Sequence, residues 1–211
     1  MLVLHRMPDV TLLQKPDSND ASGVLARAFA DSPVYAAVLT DKNEAARLKT
    51  LTRVKAGFVS ATVGHGESRV VREGDRVVGV SLVMAPGGYP LSWADEIRQS
   101  IGCATTGPTA ILRFLKLTAY MRKRHEPRPH FYLFAIAVDP SRQGRGIGKA
   151  LLRELHARAD AAAAPCYLET EKAINVRLYE SQGYRVVTDE NIPGFDALRM
   201  WTMRRPAQGE G

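Results

Sequence analysis

The sequence has few cysteines and no long apolar run, and both absences narrow the range of proteins that it can encode. Its 211 residues include two cysteines, Cys103 and Cys166, too few for a disulfide framework, so we expect a reducing environment. No stretch of about 18 apolar residues occurs, which argues against a membrane-spanning helix. The segment Met1–Arg6 reaches a base too early for the apolar stretch of a secretory signal. We therefore expect a cytoplasmic location and no membrane partner.

Low complexity and internal repeats are also missing. Hydrophobic residues make up 45% and charged residues 24%, which is close to the globular average and argues against disorder. The length fits one ordinary domain, which we expect to span residues 1–211. The five histidines show no metal-ligand spacing with cysteines or acids, so no metal is expected.

Positive charge is in excess, with 29 basic against 22 acidic residues and a net charge of +7. This balance suits an anionic partner, either nucleic acid or a phosphate-bearing ligand, although solubility alone explains it equally well. The basic run Arg122–Lys123–Arg124 has only Tyr120 as a nearby aromatic residue. Binding of nucleic acid usually interleaves bases with aromatic side chains, so a basic RNA-binding domain is disfavoured.

The pattern along the chain predicts a mixed α/β fold with a largely antiparallel sheet of about six to seven strands flanked by helices. The apolar run Phe131–Val138 predicts a central strand that is buried on both faces. The other predicted elements are strands at 10–14, 69–72, 77–84, 166–168, 185–187 and 198–203, and helices at 18–30, 44–62, 146–161 and 173–182. The stretch over 91–121 is predicted to be helical but broken at Gly102 and at Gly107–Pro108.

A glycine-rich turn follows the central strand and precedes an amphipathic helix. It contains Gly144, Gly146 and Gly148, together with three basic side chains, Arg142, Arg145 and Lys149. The N–H groups at the start of a helix have no intrahelical partner and lie at its positive end, and glycines let phosphate oxygens approach them. The turn therefore predicts a pyrophosphate site. The simpler alternative is a flexible glycine-rich turn that binds no ligand.

The spacing of the glycines decides between known phosphate motifs. A dinucleotide fingerprint needs G-x-G-x-x-G, whereas these glycines alternate strictly. A P-loop would require a glycine at Gln143 and a hydroxyl at Ala150. The pattern that fits is [RQ]-x-x-G-x-[GA], with Gln143, Gly146 and Gly148 at its defined positions.

With this turn the sequence resembles the GCN5-related N-acetyltransferase (GNAT) family. The run Phe131–Val138 resembles the central strand of that family, and Asn175–Tyr184 resembles its N-x-x-x-x-Y-E-x-x-G-[FY] signature, shortened by one residue. From about His125 to Pro206 the sequence is most similar to the puromycin N-acetyltransferase group, whereas the middle from about Met84 to Arg124 has no clear match. The resemblance therefore concerns the cofactor site and leaves the acceptor open.

The resemblance implies that acetyl-CoA is the co-substrate, bound by a core at about 130–185. It places Tyr179 beside the cofactor sulfur as general acid, and a phenol suits the protonation of a departing thiolate. Asn175 lies one helical turn away, on the same face and on the pantetheine side. The remaining cofactor-binding residues that it implies are Ile136, Ala137 and Val138 on the strand, where a backbone N–H holds the oxyanion, and Gln143, Gly144, Arg145, Gly146, Ile147, Gly148 and Lys149 in the turn.

The general base is assigned to Glu169, which ends a short strand near the presumed acceptor mouth. An equally good interpretation is that Glu169 is a solvated or salt-bridged glutamate without a catalytic role. His130 opens the central strand and can titrate near neutrality, although a lone histidine there is usually structural. A base acting through water needs neither residue.

The function that we expect is transfer of acetyl from acetyl-CoA to a primary amine of a small molecule, by direct attack through a tetrahedral intermediate. An antibiotic-like acceptor is one possibility. The alternatives are a catalytically silent acyl-CoA-binding or regulatory module and a protein or peptide N-acetyltransferase. Monomer and homodimer are both compatible with the sequence.

Overall fold

The computed structural model describes residues 8–40, 43–196 and 198–210, so the expectation for Met1–Arg6 lies outside the described residues. Within these ranges the chain forms seven strands and seven α-helices. The strands are β1 Val10–Leu12, β2 Arg69–Glu73, β3 Arg76–Met84, β4 Phe131–Val138, β5 Cys166–Thr170, β6 Arg185–Asn191 and β7 Arg199–Arg205. The helices are α1 Ser18–Ala28, α2 Pro33–Val38, α3 Glu44–Thr62, α4 Trp93–Ala104, α5 Pro108–Arg124, α6 Ile147–Ala161 and α7 Ala173–Glu180.

The seven strands form one sheet in the order β1-β2-β3-β4-β5-β7-β6. Neighbouring strands are antiparallel except β4 and β5, which run parallel and are joined through α6. A parallel pair needs such a crossover, because the chain must return to the starting edge of the sheet. The predicted mixed α/β fold with a largely antiparallel sheet flanked by helices is therefore confirmed.

β4 and β5 separate soon after they begin. Their register contains two pairs, Phe131 with Cys166 and Tyr132 with Tyr167. On its other edge β4 stays paired with β3 as far as Val138. The sheet consequently opens into a gap between β4 and β5, and the β5-facing edge of β4 has no strand partner from Leu133 to Val138 among the described residues.

β4 also contains a bulge at the start of this gap. Leu82 of β3 pairs with Ala135, and the next residue, Val83, pairs with Leu133, so Phe134 is an extra residue on β4. A bulge bends the strand and increases its local twist. It therefore contributes to the divergence of β4 from β5.

Two helices beside the gap pack unusually closely. A Cβ added at Gly57 of α3 would lie 2.6 Å from the carbonyl oxygen of Gln99, and one added at Gly102 of α4 would lie 2.3 Å from that of Arg53. The two glycines therefore let α3 and α4 approach backbone to backbone. This contact fixes one wall of the space in front of β4.

Most predicted elements lie where the sequence indicated, with local differences. The helical stretch over 91–121 is broken into α4 and α5, because Gly107, at a φ of +98°, separates them before Pro108. The break predicted at Gly102 is wrong, because α4 continues through Gly102, which packs against the backbone of α3. The α2 helix is absent from the prediction. It is six residues long and begins at Pro33, after Ser32 as N-cap. In the described ranges no helix combines the length and apolarity that crossing a bilayer requires.

Candidate active site

A cavity with a volume of about 910 Å³ lies in front of the gap between β4 and β5. Side chains from α2, α3, α4, α5, β4, β5, α7 and β7 line it, and most of them are apolar or aromatic. Four residues that the sequence singled out meet here: Ile136 of β4, Glu169 of β5, and Asn175 and Tyr179 of α7. Ala137, Val138 and the glycine turn lie outside the cavity lining, further along β4 and beyond its end.

Asn175 and Tyr179 share one face of α7. The Asn175 amide nitrogen lies 3.2 Å from the hydroxyl oxygen of Thr170, so it donates to the end of β5. The N–H of Asn175 bonds the carbonyl of Lys172 and begins the helix turn. This pairing orients the first turn of α7 across the gap, with Tyr179 one turn further on.

Tyr179 is 6% exposed and packs edge-on against Tyr184, with ring centroids 5.6 Å apart. Burial raises the pKa of its phenol well above the usual value, and the carboxylate of Glu171 acts in the same direction. The hydroxyl therefore stays protonated at neutral pH. A protonated phenol at the cavity wall is able to donate a proton or a hydrogen bond.

Glu169 is a buried carboxylate, with 6% of its side chain exposed. Among the described residues its Oε1 atom has no hydrogen-bond partner, although His125 Nδ1 lies 3.5 Å away. An unsatisfied buried carboxylate oxygen is costly unless a ligand or water completes it. It is therefore an available acceptor for a cationic or hydrogen-bonding group in the cavity.

Two histidines extend from Glu169 away from the cavity. His130 Nδ1 lies 2.7 Å from the carbonyl oxygen of Arg128 and donates to it, which leaves His130 Nε2 to accept from His125 Nε2 at 3.1 Å. Burial lowers the pKa of His130, which favours this neutral form. With its Nε2–H directed at His130, His125 presents Nδ1 to Glu169. The sequence indicated that His130 is an isolated structural residue. In the structure it forms a cluster with His125 and Glu169.

The glycine turn has the backbone geometry that its sequence suggested. Gly144 and Gly146 have φ values of +77° and +80°, a region that side chains with a Cβ rarely adopt. A Cβ added at either would meet no atom within 4 Å, so it would project into open space in front of the turn. The turn is anchored by Asp139, which accepts from Ser141 and pairs with Arg27 of α1 at 2.6 Å.

The start of α6 offers free donors to that space. The N–H of Ala150 bonds the carbonyl of Gly146, and the preceding N–H groups at Ile147, Gly148 and Lys149 have no intrahelical acceptor. The Ile147 side chain is buried against β2 and β3, so only its backbone faces outward. Donors, glycines and exposed cations fit an anionic diphosphate such as that of coenzyme A.

The basic side chains of the turn differ in their availability. Arg142 pairs with Glu73 at 2.6 Å, so its charge is already partly neutralised. Arg145 and Lys149 are exposed and form no ion pair with any described residue. The Gln143 amide nitrogen lies 3.3 Å from the carbonyl oxygen of Val138 and closes the turn onto β4. The cationic contribution to a phosphate site therefore comes chiefly from Arg145 and Lys149.

The basic run at the end of α5 is engaged within the protein. Arg122 pairs with Glu96 at 2.6 Å, and Arg124 pairs with Glu190 at 2.5 Å. No group of three or more acids, histidines or cysteines in the described ranges is arranged to hold a metal ion.

Comparison with known proteins agrees with this geometry. Residues 93–186, from α4 to the start of β6, match the family model of the acetyltransferase (GNAT) domain. The match covers 94 of the 211 residues, and this segment is similar to a GNAT acetyltransferase domain. The match includes β4, the glycine turn, α6, β5 and α7, which hold every residue that the sequence assigned to the site.

Proteins of known structure share the fold over most of the chain. A Corynebacterium glutamicum protein, named histone acetyltransferase HPA2 and related acetyltransferase, superposes with a TM-score of 0.70 at 22% identity, covering 96% of this chain and 97% of its own. The polyamine N-acetyltransferase of Drosophila melanogaster, which forms N-acetylagmatine, gives 0.59 at 16% identity, covering 93% and 99%. At these identities the likeness shows the fold alone.

Curated relatives match over shorter segments. An uncharacterised N-acetyltransferase of Schizosaccharomyces pombe is 33% identical over 70 residues, which cover 33% of this chain and 29% of that protein. The chain aligns with about a third of the length of the curated relatives it matches.

Sequence reasoning missed three residues that face the cavity or its cluster. Lys55 of α3 and Glu171 after β5 both line the cavity, and His125 links Glu169 to His130. None of these residues belongs to a spaced motif, because they come from separate elements. They can be recognised only when the positions of α3 and of the loop before β4 in the fold are known.

Proposed function

We propose that this protein transfers the acetyl group of acetyl-CoA to a primary amine of a small molecule by direct attack. The observation that carries the proposal is the separation of β4 and β5 beyond Tyr132 and Tyr167, which opens a strand edge between the glycine turn and the cavity. An extended, amide-bearing ligand arm can pair with such an edge as an added strand. Acetyl-CoA, when bound, supplies a reactive acetyl thioester at the end of that arm.

The proposed cofactor contacts follow from this arrangement. The N–H groups from Gly144 to Lys149, with the Arg145 and Lys149 side chains, hold the pyrophosphate, and Gln143 keeps the turn closed. The backbone at Ile136, Ala137 and Val138 pairs with the pantetheine arm and holds the oxyanion, while Asn175 flanks that arm from α7. Because Gln143 already bonds the Val138 carbonyl, we expect pairing to rely chiefly on Ile136 and its neighbours.

Two side chains that line the cavity, Glu169 of β5 and Tyr179 of α7, transfer protons in this proposal. Tyr179 donates to the departing thiolate, a role that its buried, protonated phenol supports. Glu169 receives the proton of the attacking amine, a role that its unsatisfied Oε1 supports. His125 Nδ1, at 3.5 Å, shares the resulting proton, with His130 holding the His125 ring in the required tautomer. Glu169 and Tyr179 are thus the proposed base and acid.

The acceptor is proposed to be a small amine rather than a protein N-terminus. The cavity is lined largely by apolar and aromatic side chains and has the volume of a small-molecule pocket. One solved relative forms N-acetylagmatine, and the chain itself resembles the puromycin N-acetyltransferase group. An antibiotic-like amine is therefore one acceptor class to include in a screen.

The test is release of free thiol from acetyl-CoA in the presence of single amines, with products identified by mass spectrometry. The panel contains phenethylamine, agmatine, puromycin and a peptide with a free N-terminus. Amine-dependent thiol release with an acetylated small-molecule product supports the proposal. Acetylation of the peptide alone contradicts the assigned acceptor class, and binding of acetyl-CoA without transfer to any amine favours the silent-module alternative.

A further inference from the structure

Lys55 is a buried cation in the cavity wall. It is 2% exposed, yet it lines the cavity, so its small remaining surface faces the ligand space. Its Nζ atom lies 3.7 Å from the ring centroid of Phe29, 4.6 Å from that of Tyr35 and 5.2 Å from that of Phe58. These rings stabilise the ammonium group through cation–π contacts, but they offer no lone-pair acceptor for its three N–H groups.

No anionic group of the described protein satisfies Lys55. Glu171 is the carboxylate that influences it, but its Oε1 atom accepts from Ser32 Oγ at 2.6 Å, and it does not reach ion-pair distance from Lys55. Burial lowers the pKa of Lys55 to about 7, while Glu171 and Cys103 oppose that shift. A buried ammonium without a counter-ion is unstable in this setting, and a bound anion would restore its charge.

The phosphates of coenzyme A are not positioned to be that anion. Phe58, one turn from Lys55 on α3, stacks on Phe134 with ring centroids 4.9 Å apart. Phe134 precedes the end of β4 by four residues, or about 13 Å at strand spacing, and the glycine turn lies beyond that end. The pantetheine arm carries no charge. An anion that pairs with Lys55 must therefore come from the acceptor.

We infer that the acceptor is an amine that also carries a carboxylate, with Lys55 binding the carboxylate and the amine facing Glu169. This inference rests on the proposed function and specifies its substrate class. A single buried cation balances a monoanion, whereas a dianionic phosphate would leave an uncompensated charge. The apolar and aromatic lining suits an amino acid with an apolar or aromatic side chain. Arg122 and Lys123 also reach the cavity, but both are exposed to water, and Arg122 is already paired with Glu96.

The test compares phenylalanine with phenethylamine, which differ by the carboxylate. In the wild-type protein kcat/KM should favour phenylalanine, and Lys55→Met should reduce the ratio of the two kcat/KM values by about tenfold or more. Lys49→Met, an exposed lysine of the same helix, is the matched control and should leave the ratio unchanged. A ratio within one assay does not depend on the folded fraction. An equal ratio in wild type and Lys55→Met would overturn the inference.

A binding experiment separates this inference from the proposed function. 3-Phenylpropionate has the carboxylate but no amine, so its affinity, measured calorimetrically, does not require acetyl transfer. Wild-type protein should bind it at least about tenfold more tightly than Lys55→Met. Loss of this difference overturns the inference even if amines are acetylated. A retained difference supports the anion site even if every amine in the panel proves inert, a result that would overturn the proposed function alone.

Discussion

Tyr132 of β4 and Tyr167 of β5 form the last registered pair between their strands, and beyond them the sheet opens. Both tyrosines are buried, with ring centroids 5.8 Å apart, and they close the floor of the gap. The proposed chemistry depends on this opening, because it leaves one edge of β4 available to a ligand beside Glu169 and Tyr179. The predictions below test the parts of that arrangement separately.

Removal of the Tyr179 hydroxyl should slow the reaction without weakening acetyl-CoA binding. In Tyr179→Phe the ring still packs against Tyr184, but no proton is available for the thiolate, so kcat should fall about 100-fold. Steady-state kinetics and calorimetric titration measure the two quantities. Tyr120→Phe, which removes a hydroxyl bonded to Glu190 outside the cavity, is the matched control. Wild-type turnover in Tyr179→Phe would exclude the acid role.

Replacement of Gly146 should impair acetyl-CoA binding specifically. Alanine there must adopt a φ of +80° and places its Cβ in the space where phosphate oxygens would approach the N–H groups. We expect at least about tenfold weaker binding, together with a loss of about 1 kcal/mol in stability. Gly66→Ala has a similar φ of +75° and equally open surroundings, far along the chain from the turn. Equal acetyl-CoA affinity in both variants would argue against the phosphate site.

Removing the carboxylate of Glu169 should slow the reaction. Glu169→Gln keeps the shape of the side chain but removes its basicity, so kcat, measured by steady-state kinetics, should fall about 100-fold. His125→Asn should have a smaller effect in the same direction, because it withdraws the Nδ1 atom 3.5 Å from the carboxylate. Wild-type turnover in Glu169→Gln would leave a base acting through water as the better explanation.

The contact between α3 and α4 should not tolerate a methyl group. In Gly102→Ala the new Cβ would lie 2.3 Å from a backbone oxygen, so the helices must separate at a cost of about 2 kcal/mol in unfolding free energy. Gly23→Ala on α1 meets only the flexible end of Arg27 and should stabilise the protein slightly, as alanine does within helices. Denaturant unfolding of both variants checks the contrast, and equal stabilities would contradict the packing described for α3 and α4.

Stability should fall as the pH drops from about 6.5 to about 4. His156 contacts Tyr184, and burial together with Arg205 lowers its pKa to about 4, against the opposing effect of Asp160. The unfolded chain therefore takes up a proton at higher pH than the folded chain, so this contribution to stability is complete above about 6.5 and is lost toward 4. At about 1.4 kcal/mol per pKa unit, reduced by partial exposure, the loss is on the order of 2 kcal/mol.

The measurement for this prediction is the unfolding free energy of wild type and His156→Gln across that pH range. The glutamine retains a polar group near Tyr184 but does not titrate. The difference between the two proteins should therefore narrow as the pH falls. Parallel curves for the two proteins would show that His156 does not contribute.

The elements that carry local signals were predictable from the sequence. The strand Phe131–Val138 has the predicted bounds because its apolar run ends at Asp139–Pro140, and α6 begins one residue after the predicted start, Gly146. Gly183, after α7, adopts the left-handed conformation that is typical of a glycine following a helix, at a φ of +87°. The α2 helix was missed because six residues carry too little periodicity to be distinguished from a loop.

The cavity was only partly predictable. Asn175 and Tyr179 are one turn apart in a recognisable motif, so their shared face follows from helix geometry. Lys55 and His125 become neighbours of the site only because α3 packs across β4 and the loop before β4 folds back on β5. The spacing of residues in the sequence does not predict such long-range contacts. A buried lysine within an amphipathic helix also cannot be distinguished by sequence from a solvated one.

The central claim is that the glycine turn and the open edge of β4 bind acetyl-CoA, and thermal unfolding tests it most directly. Acetyl-CoA at 100 times its dissociation constant should add about 2.7 kcal/mol to the stability and raise the Tm by about 5 to 10 °C. ATP and NAD at the same concentration should leave the Tm nearly unchanged. An unchanged Tm with acetyl-CoA, or an equal rise with ATP or NAD, would contradict the account.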